Sequence, residues 1–219
     1  MFCFETLVVC GTIAGHIGSF LACDSLLWLA ASNSCIKKSG LEYGLVSIRG
    51  CNFGTETLIH GFVSFVRKCP SILHVDMDYP CEAPDIVVTS IAENCKKLLS
   101  IELYSDLYGP VIPDAAIRAI AQSCEDLVYI NIDDSDVTDD TAQLLATSCP
   151  KLEFVSIGGT RITEIGLVAL AKQCTLAARA SAKILPPHMR GPHLAVYRLD
   201  DHVDVATLEQ HFPEIRWLY

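Results

Sequence analysis

A cysteine returns along this chain at a near-constant interval. Cys69, Cys95, Cys124, Cys149 and Cys174 are spaced by 26, 29, 25 and 25 residues, and the same apolar positions surround each of them. Units of this length are single supersecondary motifs that cannot bury their apolar face alone, so each must stack on the next. The repeat therefore limits the fold before composition is considered.

Three residues after the first four cysteines stand Ile72, Leu98, Leu127 and Leu152. Six after stand Val75, Ile101, Ile130 and Val155, and eight after stand Met77, Leu103, Ile132 and Ile157. The last two positions alternate with polar residues, the period of a strand with one buried face. HVDM, SIEL, YINI and FVSI are thus predicted strands.

The second half of each unit has helical spacing. Phe65, Ile91, Ile120, Leu145 and Leu170 lie four residues before a cysteine. Phe62, Val88, Ile117, Ala142 and Leu167 lie seven before, which completes one apolar stripe. Pro84-Asp85, Pro113-Asp114, Thr138-Asp139 and Thr163-Glu164 mark the helix starts, where a first turn takes proline, a capping oxygen or a carboxylate. Each cysteine is expected on the inside, at the end of its helix.

Weaker copies flank these units. Tyr43, Val46 and Ile48 fit the strand ahead of the helix that ends at Cys69. Val205, Leu208 and Phe212 fit a later helix, with Phe212 in the cysteine position, and Ile215 and Leu218 begin another strand. A strand reaching Tyr219 would leave an open edge, so a longer natural chain or a covering partner is expected. Residues 175–199 follow no repeat and read as an insertion or a degraded unit.

The pattern C-x2-L-x2-L-x-L followed by I-T-D and L-A-x2-C resembles the cysteine-containing class of leucine-rich repeat. VTDDTAQLLATSC and ITEIGLVALAKQC are the clearest copies, and residues 41–174 carry the match. The resemblance implies an α/β fold: a leucine-rich-repeat solenoid with a curved parallel sheet inside and helices outside.

Residues 9–36 depart from the repeat. Ile13, Ile17, Phe20 and Leu21 sit at helical spacing. After the break Cys23-Asp24-Ser25 come Leu26, Leu27, Leu29 and Ala30. Two amphipathic helices are predicted, the second capped by Asp24 or Ser25. This segment is similar to an F-box, whose I-x-x-F/Y-L core, short break and D-L-L-x-L-A it approximates. It departs from that family in having Val9-Cys10 for the leading Leu-Pro, Thr12 for Glu, and Ser25 for the Asp before Leu-Leu. The division is then an F-box-like helical segment over 1–40 and repeats over 41–219. The resemblance implies that Ile13, Ile17, Phe20, Leu21, Leu26, Leu27 and Leu29 dock on a Skp-family adaptor in a cullin complex, while the repeats choose a protein substrate. The bland alternative is a helical cap on a binding scaffold unrelated to ubiquitination.

Composition narrows the partners. The net charge is -10, which repels phosphate backbones and suits a basic segment on a protein substrate. Eleven cysteines invite a disulfide or zinc reading, but no C-x2-C pair exists and five fall in the repeat register. Reduced, buried thiols in a cytoplasmic or nuclear protein are expected. Thr6 to Ala31 is apolar, yet Glu5 and the lack of Lys or Arg at the start argue against a signal peptide. His16, Ser19, Asp24 and Ser25 argue against a membrane span.

Nothing in the chain has the spacing of a catalytic site. Asp133, Asp134, Asp136, Asp139 and Asp140 lack the Gly and closing Glu of a calcium loop and read as a solvated loop leading into a helix start. His188, His193, His202 and His211 form no metal-binding motif. No nucleophile elbow or phosphate loop occurs. No cofactor, metal or enzymatic activity is expected.

A surface is left. Strand positions that alternate with the buried ones face away from the core. On the concave face these are His74, Asp76, Asp78, Ser100, Glu102, Tyr104, Tyr129, Asn131, Asp133, Phe154 and Ser156. Aromatic rings interleaved with carboxylates make it the expected ligand-binding face.

Overall fold

A computed structural model of the chain describes residues 47–49, 56–77, 84–103, 111–180, 193–195, 204–213 and 215–218. Strands and helices alternate through them: β1 (Ser47–Arg49), α1 (Glu56–Val66), β2 (His74–Met77), α2 (Pro84–Asn94), β3 (Ser100–Leu103), α3 (Asp114–Ser123) and β4 (Tyr129–Asn131). Then come α4 (Asp139–Ser148), β5 (Phe154–Ser156), α5 (Glu164–Ala180), β6 (His193–Ala195), α6 (Val205–His211) and β7 (Arg216–Leu218). The protein is α/β.

All the described strands join one parallel sheet, and their order in space is their order in sequence. A helix lies between each pair of neighbouring strands, as a parallel crossover requires. From α1 to α5, each helix packs against the next.

The register follows the repeat. Ile48, Val75, Ile101, Ile130, Val155 and Leu194 are successive partners across the sheet. Val75, Ile101, Ile130 and Val155 are at most 1% exposed and join one apolar core with the helix stripe. In that stripe Phe62, Val88, Ile117, Ala142, Leu167, Ile91, Ile120, Leu145 and Leu170 are fully buried, and Phe65 nearly so. Burial of each large aliphatic side chain is worth about 1.5–3 kcal/mol, which is why the spacing dictates the stacking. β4 and β5 end one residue before YINI and FVSI do. Ile132 and Ile157 are nonetheless buried, and the Ile132 N–H still donates to the Ser156 carbonyl at 2.9 Å.

The cysteines link one unit to the next. Cys69, Cys95, Cys124, Cys149 and Cys174 are free thiols and all are buried. The Cys124 thiol donates to the Cys95 carbonyl at 3.6 Å, and the Cys149 thiol donates to the Cys124 carbonyl at 3.6 Å. Those two carbonyls also accept from Leu127 and Leu98 in their own units: Leu127 N–H to Cys124 at 3.2 Å and Leu98 N–H to Cys95 at 3.1 Å. Each oxygen thus uses both lone pairs in a place water does not reach. Phe212 keeps the backbone half of this arrangement. Its N–H donates to Leu208 at 2.9 Å, and its carbonyl accepts from Ile215 at 3.1 Å.

One expectation needs correction. The helix through Cys174 does not stop there: α5 runs on to Ala180. Cys69 and Cys149 are followed by proline, whereas Cys174 is followed by Thr-Leu-Ala-Ala-Arg-Ala, whose helix formers continue the helix. Of the two readings of residues 175–199, an insertion or a degraded unit, β6 favours the second, because it pairs with β5 and β7 on either side. The longer interval from Phe154 to its register partner His193, with no anchoring cysteine, hides this unit from a pattern search.

Candidate functional site

The helix-free face of the sheet is built from two rows of register partners. Across β2 to β5, one row runs His74, Ser100, Tyr129, Phe154; the other runs Asp76, Glu102, Asn131, Ser156. Strand alternation puts both rows opposite the core. In β2 and β3 the alternation is complete, with His74, Asp76, Ser100 and Glu102 partly exposed between buried neighbours. His74 Nδ1 and Ser100 Oγ are 2.8 Å apart, so the two side chains share a hydrogen bond along the first row.

β4 and β5 behave differently. Tyr129, Asn131, Asp133 and Ser156 are 4–6% exposed. These four are not part of an open surface: Asn131, Asp133 and Ser156 turn polar groups toward one another, and Tyr129 stacks on Phe154. Asp133 accepts from the Ser156 hydroxyl at 2.8 Å and from the Gly158 N–H at 2.6 Å, and Asn131 Oδ1 accepts from the Asp133 N–H at 3.1 Å. A carboxylate taken from water needs such donors. Tyr129 and Phe154 stack with centroids 4.4 Å apart and planes 11° from parallel, and Phe154 keeps some of its ring exposed. Asp78 and Tyr104 lie outside the described residues, as do Ile13, Ile17, Phe20, Leu21, Leu26, Leu27 and Leu29.

The acidic run therefore splits. Asp133 is a buried structural carboxylate and does not belong to a solvated loop. Asp134 occupies the left-handed region at φ 56°, and Gly159, one repeat later, occupies it at φ 67°. Asp136 pairs with Arg161 at 2.8 Å on the surface. Asp139 reaches forward to the next helix start, where it accepts from the Thr163 N–H at 2.8 Å, the Thr163 hydroxyl at 2.6 Å and the Gly166 N–H at 3.0 Å. Only Asp140 is simply exposed.

The preceding unit repeats this arrangement with Asp114. It accepts from the Thr138 N–H at 3.0 Å and the Thr138 hydroxyl at 3.2 Å, and pairs with Arg118 at 3.2 Å. Burial alone would raise its pKa. Thr141, Thr138 and Arg118 outweigh that and hold it below the ordinary carboxylate value. The Thr141 hydroxyl acts here by proximity, because its oxygen makes no hydrogen bond of ordinary geometry. The expectation that Thr138 caps its own helix is not met. Its side chain makes no such bond and serves Asp114 instead.

Nucleophilic chemistry does not suit the thiols. Burial pushes Cys95, Cys149 and Cys174 up to about 12 and Cys124 to about 11. A thiolate is the reactive form, and these sites suppress it. Among the described residues, no group of three or more His, Cys, Asp or Glu side chains could hold a metal ion. His211 is exposed and bonds the Thr207 carbonyl at 2.7 Å. No described helix is long and apolar enough to cross a membrane.

Sequence reasoning missed the forward-reaching carboxylates. Their signal was present: an Asp at the first helical position, and a Thr just ahead of the next helix, 24 residues on. A scan of the chain against family models finds no match, and a search of curated proteins finds none either.

Proposed function

We propose that the chain is a leucine-rich-repeat solenoid that acts as a protein-interaction adaptor, the substrate-recognition subunit of a Skp–cullin–F-box type ubiquitin ligase. The observation that carries the repeat reading is the coincidence of sequence order, strand order and register: each unit adds one strand and one helix and places its cysteine against the unit before. Quasi-one-dimensional stacks of this kind display one long sheet face, and that face binds other proteins. The ligase link rests on the F-box-like residues ahead of the repeats. The chain does no bond chemistry itself in this reading; it holds a protein substrate by the sheet face while its first helices engage a Skp-family adaptor, in the cytoplasm or nucleus.

Affinity capture of the tagged full chain, followed by mass spectrometry, tests this. Recovery of a Skp-family adaptor and a cullin, lost on Phe20→Asp with Leu21→Asp while the far-ultraviolet circular dichroism is unchanged, supports it. Recovery of other proteins but never the adaptor sinks the ligase link and leaves a scaffold unrelated to ubiquitination.

A further inference from the structure

The helix starts are not all joined in the same way. Thr138 and Thr163 each offer the preceding helix two donors, a backbone N–H and a hydroxyl, and Asp114 and Asp139 accept both. Beside these ties the Asp136 N–H donates to the Ile112 carbonyl at 2.9 Å, and the Arg161 N–H to the Val137 carbonyl at 3.0 Å. Side chains and backbone together therefore hold the edge from α3 to α5. Counted back from the next cysteine, the place of Thr138 is taken by Pro113 ahead of α3 and by Pro84 at the start of α2. Proline has neither donor. Asp85 stands where Asp114 and Asp139 stand but is exposed, and Ile59 takes that place in α1. This bond therefore cannot tie α1 to α2 or α2 to α3.

The connection into α3 is longer as well. Leu103 and Pro113 are ten positions apart, whereas Ile132 and Thr138 are six apart, as are Ile157 and Thr163. A longer connection restrains its ends less. Apolar burial does not offset the difference, because the stripe is equally buried on both sides of the joint: Val88 and Ile91 in α2 match Ile117 and Ile120 in α3. The buried Ser90 hydroxyl, which has no hydrogen-bond partner, lies in α2.

We propose that the stack yields at the joint between α2 and α3. The units from α3 to α5 form a fixed block, and α1, β2, α2 and β3 open ahead of it as a separate one. In a one-dimensional stack, stability is set by each unit and its contacts with its neighbours, so a bond missing at one joint weakens that joint. On the sheet-face reading above, the partly exposed half of the face, carried by β2 and β3, is then the half that can adjust to a partner. The half around Asn131, Asp133 and Ser156 is held by its own hydrogen bonds and belongs to the fixed block.

Hydrogen–deuterium exchange of the full chain, read by mass spectrometry, tests this. In the unaltered protein, α2 and β3 should exchange about tenfold or more faster than α4. Pro113→Thr supplies the missing N–H and hydroxyl for Asp85 and should slow exchange in α2 and β3 by about fivefold or more. Made in an Asp85→Ala background, the same change should slow nothing, because the acceptor is gone. Equal exchange in α2 and α4 of the unaltered protein overturns the proposal, and that reading needs no variant. A Pro113→Thr effect that is absent, or that persists without the Asp85 carboxylate, also overturns it, since the difference then reflects only place in the stack. The measurement uses no partner, so the sheet-face reading and adaptor capture fail or succeed separately.

Discussion

The carboxylate of Asp139 holds Thr163, 24 residues further on, by both its backbone N–H and its hydroxyl. Asp114 holds Thr138 in the same way across the same number of residues. The starts of α3 and α4 are therefore each tied to the next helix start by an acid that does not cap its own helix. Asp139→Ala removes the acceptor for three donors and should cost on the order of 2 kcal/mol. In a double-mutant cycle with Thr163→Val, read by urea denaturation, a coupling of about 0.5 kcal/mol or more is expected. Additive effects would mean that the contact contributes nothing to the joint between units.

Gly166 offers a sharper test of the same joint. In an ordinary helix, Gly→Ala stabilises by up to about 1 kcal/mol. A Cβ here would meet Asp139 Oδ1 at 2.6 Å, Ile162 Cγ2 at 2.7 Å and Ala142 Cβ at 2.9 Å. Gly166→Ala should thus destabilise, by about 1–3 kcal/mol as overpacking does. A higher melting temperature for this variant would show that α4 and α5 do not approach as closely as described.

Asp114 gives the fold an acid-sensitive contribution. Its pKa is lowered in the folded protein, so it favours folding above the unfolded carboxylate value near pH 4. That contribution fades as pH falls through the lower folded value. Asp114→Asn should therefore reduce stability at neutral pH and flatten the loss of stability below about pH 4. Parallel curves of stability against pH for the variant and the parent would contradict this.

The five repeat thiols should be inert while the protein is folded. Burial shields all five, the raised pKa values of Cys95, Cys124, Cys149 and Cys174 disfavour the thiolate, and Cys124 and Cys149 also donate to carbonyls. Alkylation with iodoacetamide at neutral pH, mapped by mass spectrometry, should leave Cys69, Cys95, Cys124, Cys149 and Cys174 unmodified until denaturant opens the fold. Rapid native-state labelling of Cys124 or Cys149 would refute the thiol-to-carbonyl arrangement.

How far the sequence is readable depends on the kind of residue. Periodic apolar residues betray themselves because burial must repeat with the structure, so Val75, Ile101, Ile130 and Val155 could be placed by counting from a cysteine. Phe212 could be placed without the cysteine because its helix stripe was intact. Asp133 could not. A carboxylate in strand phase reads as solvated, and only Ser156 and Gly158, supplied by the next unit, make its burial tolerable. β6 was hidden for a similar reason, since its place in the sheet is set by the strands on either side. The sheet face was legible as a row of residues, but its closure around Asn131 and Ser156 was not, because that depends on which polar groups satisfy one another.

Ser90 is one place among the described residues where a buried polar group goes unsatisfied. It is 4% exposed, and its hydroxyl has no hydrogen-bond partner. It precedes Ile91, which aligns with Ile120, so Ala119 stands at the same position in the following unit. A buried hydroxyl without a partner carries a desolvation cost that an alanine lacks. The methylene it shares with alanine is kept, so little packing is lost. Ser90→Ala should therefore be neutral or stabilising, by up to about 1 kcal/mol. A clear loss of stability in urea titration would mean that this hydroxyl makes a bond in solution, for which the nearest acceptor to examine is the helix carbonyl one turn back.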